Sequence, residues 1–139
     1  MEEGKLFYGE GTTTVPMNRR LLYKGIIENR PNPDGKVDSS LKILKITDKN
    51  NKIVSIITRV SCHPVATGAK HLLTADYPGA LRPLIEKAFP NATSIFWQGV
   101  GADARPRQVA DGLKWKGIPH SELYIIGECL FAEVMEVLT

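Results

Sequence analysis

The chain has 139 residues, of which 42% are hydrophobic and 24% charged, a balance typical of one ordinary globular domain rather than a disordered segment. Its 18 lysines and arginines only slightly exceed its 15 acidic residues and are interspersed with them, so no nucleic-acid partner is predicted. No apolar run reaches the roughly 18–20 residues of a transmembrane segment, and the acidic start Met1–Glu3 lacks the features of a secretion signal, so neither a membrane span nor a particular compartment is predicted.

The first 40 residues carry few signs of regular structure. Leu6–Tyr8 has the composition of a short strand, but glycines, threonines and Pro16 follow it. Two prolines and an Asp-Gly pair within Glu28–Gly35 predict a loop. We therefore expect residues 1–40 to form an irregular region made mostly of loops.

A β-hairpin is predicted next. Leu41–Thr47 and Ile53–Val60 are rich in β-branched residues, and the polar segment Asp48–Lys52 between them favours a turn. The second of these strands is nearly continuous in apolar residues. This pattern predicts burial on both faces, inside a sheet that helices cover.

A helix and a strand follow the hairpin. Apolar residues at helical spacing predict a helix that begins close to Pro78, is capped by Asp76 and ends near Phe89. The composition of Thr93–Trp97 predicts a buried strand. Residues 98–107 are predicted to form a glycine-containing loop at the end of that strand.

The last segment has the longest helical periodicity. Ser121 is a candidate cap, and one apolar stripe follows it: Leu123, Ile126, Gly127, Leu130, Val134, Val137 and Leu138. Residues 41–139 therefore predict a hairpin, a helix, a strand and a C-terminal helix. The fold class is α/β, with a mixed β-sheet and flanking helices, either as a single compact domain (1–139) or as a fragment of a larger α/β catalytic domain.

His63 is the strongest candidate for a residue that binds a metal or takes part in catalysis. It directly follows a predicted strand, and Pro64 keeps its backbone extended, so its imidazole would face a cleft built by loops. Such an imidazole can bind a metal, or it can be a hydrogen-bonded structural histidine. His71 is too far along the chain to form a short zinc pair with it. Cys62 is not expected to act as a nucleophile. Both cysteines, Cys62 and Cys129, are expected to be free thiols.

The loop of residues 98–107 is a second candidate. Its glycines let backbone amides approach a ligand, Asp103 can accept hydrogen bonds, and Arg105 or Arg107 could hold an anionic group. A tight strand exit, in which Asp103 satisfies its own turn, explains the same residues equally well. The loop lacks the signatures of a nucleotide-binding site.

Asn18, Arg19, Arg20 and Asp76 form a third group. Arginines in a loop usually lie on a solvated face, and an aspartate before a helix usually caps it. Each of them could instead line a pocket, and their spacing does not decide between these readings.

Five motifs in chain order resemble the neutral/alkaline (non-lysosomal) ceramidase family, specifically an N-terminal part of its catalytic domain. They are Asn18-Arg19-Arg20, Asn32-Pro33 with Val37-Asp38, Cys62-His63-Pro64, Thr74–Gly79, and Gln98-Gly99 with Asp103–Arg107. The resemblance spans roughly residues 8–138.

The resemblance implies a zinc-dependent amidase that cleaves an N-acyl bond. In this family two histidines, a glutamate and a tyrosine hold the zinc, and a metal-bound water attacks the amide. By resemblance His63 is a metal ligand, and Arg19 and Asp103 are catalytic. Substrate contacts are expected for Asn18, Arg19 and Asp76, and also for the cationic side chain of Arg105, with a lipid or other small-molecule amide as the substrate.

This sequence departs from the family pattern in several places, and these departures change what we expect of its activity. The other zinc ligands would lie before residue 1 and after residue 139, so we expect the isolated chain to be inactive and to carry no stoichiometric zinc. Ala102 stands where the family has glycine, and Arg105 where it has serine. These changes leave two alternatives: a non-catalytic binding or structural module, or a related hydrolase for a polar or acidic substrate. A cleft left open in a fragment also predicts self-association.

Overall fold

Nine strands and two helices make up the part of the chain that the computed structural model describes, residues 3–69 and 71–139. The strands are β1 (Gly4–Thr12), β2 (Pro16–Tyr23), β3 (Ile26–Asn32), β4 (Ser40–Asp48), β5 (Ile53–Val60), β6 (Thr93–Gln98), β7 (Ala104–Pro106), β8 (Ala110–Asp111) and β9 (Lys114–Trp115). The helices are α1 (Asp76–Ala88) and α2 (Tyr124–Leu138), and single 3-10 turns lie at Arg107–Val109 and His120–Glu122.

The main sheet has the strand order β1-β4-β5-β6. The predicted hairpin is confirmed as the antiparallel pair β4 and β5. The predicted strand after the helix is β6, which lies parallel to β5 with Ile57 beside Ile95. A mixed sheet with helices packed on it is therefore confirmed as the fold class. The prediction that the strand after the helix is buried is wrong, because β6 is an edge strand and its Ile95 and Trp97 are exposed.

The expectation that residues 1–40 are irregular is wrong, because they contain three strands. Strand β1 is nine residues long and pairs with β4 from Gly4 and Asp48 to Thr12 and Ser40. Its glycines are not turn residues. A Cβ at Gly9 would come within 2.7 Å of Val137 in α2, so the glycine lets the helix lie close to the strand.

Strands β2 and β3 lie in a second, antiparallel sheet of order β3-β2-β7. The proline-containing segment that predicts a loop belongs partly to β3. Pro31 is tolerated there because β3 is an edge strand and the pairing shifts register beside it. In this second sheet, the Asn18-Arg19 segment of β2 lies next to β7, which is part of the loop that follows β6.

Helices cover one face of the main sheet only, so the prediction that β5 is buried on both faces is wrong. Ile56, Thr58 and Val60 of β5 are buried on the side of the helices. The opposite face is open, and four large apolar side chains on β1 and β6 are exposed on it: Leu6 (65%), Tyr8 (58%), Ile95 (45%) and Trp97 (58%). The apolar composition of β5 thus reflects one buried face and one half-buried face.

The two helices begin differently from the prediction. Helix α1 starts at Asp76, whose φ of 54° is in the left-handed region, and no side chain caps it. Helix α2 starts at Tyr124 after a 3-10 turn that contains Ser121, which does not cap it either. The apolar stripe of α2 is confirmed, since Ile126, Gly127, Leu130 and Val134 are buried.

Candidate functional site

Backbone hydrogen bonds bring the loops after β5 and β6 together. The N–H of His63 donates to the carbonyl oxygen of Ala104 at 3.2 Å, and the N–H of Arg19 donates to that of Asp103 at 2.8 Å. The N–H of Gly99 donates to Val60 at 2.8 Å, which ties the start of the second loop to the end of β5. Four of the predicted site residues therefore converge around Ala104: Arg19, His63, Asp103 and Arg105.

Arg19 is held by the loop that contains Asp103. Its Nε donates to the carbonyl oxygen of Ala102 at 2.9 Å, and the side chain is half-buried. This hydrogen bond needs only a backbone oxygen, so alanine at position 102 satisfies it. The terminal nitrogens of the guanidinium make no hydrogen bond to the described residues and remain available to a ligand.

Arg105 lies on β7, directly across from Met17 on β2. Its guanidinium carbon is 5.4 Å from the centre of the Trp115 ring, in a cation–π contact. Burial, together with the nearby positive charge of Arg19, lowers the pKa of Arg105. The side chain is therefore fixed in a partly desolvated position close to a second arginine.

His63 and Asp103 are both exposed beside these arginines. The imidazole makes no hydrogen bond to the described residues, so its nitrogens are accessible. Across residues 3–69 and 71–139, no three His, Cys, Asp or Glu side chains come together as possible metal ligands. The metal-ligand role of His63 stays a prediction, and a zinc site needs three or four protein ligands in all.

Asn18 lies next to Arg19, but its amide is occupied by the protein itself. Its Nδ2 donates to the carbonyl oxygen of Lys36 at 2.8 Å, and its Oδ1 accepts from the N–H of Arg20 at 2.7 Å. The side chain therefore holds the loop between β3 and β4 against β2. Arg20 is exposed on the opposite face of β2 from Arg19.

Asp76 is the first residue of α1, and the substrate contact expected for it stays a prediction. Its carboxylate is buried and accepts hydrogen bonds from the N–H groups of Ala66 (3.0 Å), Thr67 (3.1 Å) and Tyr77 (2.9 Å). These bonds use its oxygens to fix the loop that follows His63. Its hydrogen bonds give Asp76 a role in holding that loop.

Cys62 is fully buried, and burial raises the pKa of its thiol to about 12. The hydroxyl of Tyr77 donates to the carbonyl oxygen of Cys62 at 2.7 Å. A thiol with this pKa is not a nucleophile near neutral pH. Both cysteines are free, as predicted.

Asp38, named above only as part of the Val37-Asp38 motif, is hydrogen-bonded to Ser61 of the segment that precedes His63, a contact that the sequence does not predict. The Ser61 hydroxyl donates to Asp38 at 2.7 Å, and Ser40 donates to the same carboxylate at 2.6 Å. These hydrogen bonds, those from Ser40 most strongly, lower the pKa of Asp38 to about 2. Their only sequence signal is the Asp-x-Ser pattern of a local turn, which does not reveal the contact with Ser61.

No helix in the described part of the chain is long and apolar enough to cross a membrane.

Comparison with known proteins supports the fold. No protein-family model and no curated protein matches this chain. A neutral ceramidase from Pseudomonas aeruginosa has a similar structure, with a TM-score of 0.74 and 24% identity over 99% of this chain and 23% of that chain. A second structure, of a ceramidase complexed with C2, gives a TM-score of 0.73 and 24% identity over 99% of this chain and 22% of that one.

This chain therefore spans less than a quarter of the length of the ceramidase chains that it resembles. At this level of identity the likeness establishes the fold, which is that of a ceramidase segment.

Proposed function

We propose that this chain is a segment of a ceramidase-like zinc hydrolase that cleaves an N-acyl amide bond. The convergence of His63, Arg19, Asp103 and Arg105 around Ala104, on a fold shared with neutral ceramidase, carries this proposal. In a longer protein the segment would contribute one metal ligand and the loops that hold the substrate.

His63 would be the ligand supplied by this segment. When bound, zinc would activate a water molecule and polarise the amide carbonyl. The residues of this chain would hold the His63 imidazole in place by fixing the backbone on either side of it. The hydrogen bond from His63 to Ala104 fixes one side, and the carboxylate of Asp76 fixes the loop on the other.

Arg19 and Asp103 would position the substrate. Arg19 is anchored through its Nε, which leaves its terminal nitrogens to donate to a carbonyl or carboxylate oxygen of the substrate. Asp103 is exposed beside it and could accept a hydrogen bond from a substrate N–H or hydroxyl. Asn18 supports this arrangement by holding the neighbouring loop.

A second candidate is a related hydrolase that acts on a polar or acidic substrate, and Arg105 favours it. A partly buried cation beside Arg19 suits a charged group better than a neutral lipid amide. A non-catalytic module with this fold is the third candidate. It is distinguished from both hydrolases by lacking turnover.

The test is hydrolysis by the longer protein that contains this segment, with a ceramide and an N-acyl amino acid as the two substrates. We expect fatty acid to be released, and His63→Ala to abolish the release while His71→Ala, at another exposed histidine, preserves it. Turnover of ceramide supports the first candidate, and turnover of the N-acyl amino acid alone supports the second. Absence of turnover with both substrates contradicts the enzymatic proposals.

A further inference from the structure

Two arginines lie side by side at the junction of β2 and β7. Arg105 is the cross-strand partner of Met17, and Arg19 is two residues farther along β2. Residues at this spacing point to the same face of a sheet, and diagonal neighbours across an antiparallel pair are about 7–8 Å apart. The positive charges of Arg19 and Arg105 repel one another at this separation.

No acidic group of the described residues balances this pair of charges. Four ion pairs occur in residues 3–69 and 71–139, and they involve Arg30, Lys42, Arg59 and Arg82. Asp103 is two residues from Arg105 in sequence, and its carbonyl oxygen accepts a hydrogen bond from the N–H of Arg19, but its carboxylate forms no ion pair with either arginine. Arg19 and Arg105 are therefore two neighbouring cations that have no ion-pair partner among the described residues.

Arg105 is also incompletely hydrogen-bonded. Its Nε is buried without a hydrogen-bond partner, and so is the indole Nε1 of Trp115, whose ring packs against it. Burying a charged donor without a partner costs free energy, and placing a second cation beside it adds to that cost. A bound anion would offset both costs.

Each of the two guanidinium groups is held by a contact of its own. The Arg19 Nε is fixed on the carbonyl oxygen of Ala102, and the Arg105 guanidinium is fixed against Trp115. The terminal nitrogens of both arginines make no hydrogen bond to the described residues. Guanidinium groups bind carboxylate and phosphate oxygens through paired hydrogen bonds, and groups held in place lose little entropy on binding.

We propose that Arg19 and Arg105 together bind an oxyanion, a carboxylate or a phosphate, carried by the substrate. The inference rests on the proposed function only in treating the surface around these two arginines as the substrate site. It specifies a substrate class, an acyl compound that bears a negatively charged group. Trp115 is a positioning residue that holds Arg105.

The test is an NMR titration of the 139-residue chain at pH 7, with inorganic phosphate and, separately, sodium acetate. Sodium chloride keeps the ionic strength constant, so general screening does not change. We expect saturable shifts of the Arg19 and Arg105 Nε–H signals and of the Trp115 indole signal. Tighter binding of phosphate than of acetate indicates a phosphoryl group, and the reverse order indicates a carboxylate.

Three variants separate this site from general attraction by positive charge. Arg105→Gln and Arg19→Gln should each raise the Kd by about tenfold or more, since each removes a charge-assisted hydrogen bond. Arg20→Gln removes the same charge from the opposite face of β2 and should change the Kd much less. If Arg105→Gln does not fold, the proposal is tested by Arg19→Gln alone, which should raise the Kd by the same factor of about tenfold or more.

Absence of saturable shifts with both anions, or equal losses in Arg19→Gln and Arg20→Gln, would overturn the proposal. The titration needs neither zinc nor turnover. Its outcome is therefore separate from that of the hydrolysis test, and the anion site can fail while the hydrolase proposal stands, or the reverse.

Discussion

The N–H of His63 donates a hydrogen bond to the carbonyl oxygen of Ala104 at 3.2 Å. This bond joins the loop after β5 to the loop after β6 at the point where β7 begins. Because Ala104 also pairs with Asn18 on β2, the same short strand links the segment that contains Arg19 to the loop that contains the histidine. The site is therefore assembled by backbone pairing among three segments that are distant in sequence.

The buried carboxylate of Asp76 should be required for the stability of the loop that follows His63. In Asp76→Asn an amide N–H₂ would face backbone N–H groups that now donate to an oxygen. We expect a loss of about 2 kcal/mol in the free energy of unfolding, measured with urea. Asparagine tolerates a positive φ as aspartate does, so the loss reports the hydrogen bonds rather than the backbone.

The matched control for this variant is Asp103→Asn, at an exposed aspartate of the site. It should change the free energy of unfolding by no more than about 0.5 kcal/mol. Equal effects of the two substitutions would contradict the structural role of Asp76.

The stability contributed by Asp38 should depend on pH. Its pKa is lowered to about 2 in the folded chain, against about 3.9 for an unfolded aspartate. A carboxyl group with a lowered pKa stabilises the fold above its unfolded pKa, and this contribution is lost as the pH falls from about 4 toward 2. Asp38→Asn should therefore be less stable than the wild type at pH 7, with the difference narrowing between pH 4 and 2.

Urea unfolding at a series of pH values measures this difference. Asp34→Asn, at an exposed turn residue without these hydrogen bonds, serves as the control and should not reproduce the trend. A stability difference between wild type and Asp38→Asn that stays constant from pH 7 to 2 would refute the prediction.

The elements with strong local patterns could be predicted from the sequence. The hairpin of β4 and β5 has β-branched strands around a polar turn, and α2 has a clear apolar stripe. Of strands β1 to β3, only Leu6–Tyr8 within β1 has a recognisable strand composition, because the glycines and prolines of the rest resemble turn residues when read locally. Gly9 is in fact required by the approach of Val137, from the opposite end of the chain.

The same limit applies to the candidate site. The positions of His63 and Asp103 after strands could be expected, because residues at strand ends often face a cleft. The pairing of Arg105 with Met17, its packing on Trp115 and the contact of Ser61 with Asp38 depend on tertiary structure. Asp76 carries an ordinary capping signal, which conceals its actual contacts with Ala66 and Thr67.

The open face of the main sheet should promote self-association of the 139-residue chain. Trp97 and Ile95 on β6 and Leu6 and Tyr8 on β1 expose large apolar side chains there. We expect sedimentation velocity to detect association that increases with concentration, and Trp97→Lys to reduce it. A chain that stays monomeric throughout the concentration series would contradict this prediction.

The control for that experiment is Val100→Lys. Val100 is 77% exposed, but it lies in the loop after β6 and not on the sheet. The substitution adds the same charge as Trp97→Lys and should leave association unchanged. A reduction as large as that caused by Trp97→Lys would assign the effect to net charge instead of the sheet face.

The zinc content of the longer protein that contains this segment tests the central claim most directly. Elemental analysis should find one zinc per chain, which is lost in His63→Ala and retained in His71→Ala. The isolated 139-residue chain should carry no stoichiometric zinc, because it supplies one ligand where at least three are needed. A longer protein without zinc, or one whose zinc content is unchanged by His63→Ala, would contradict the account.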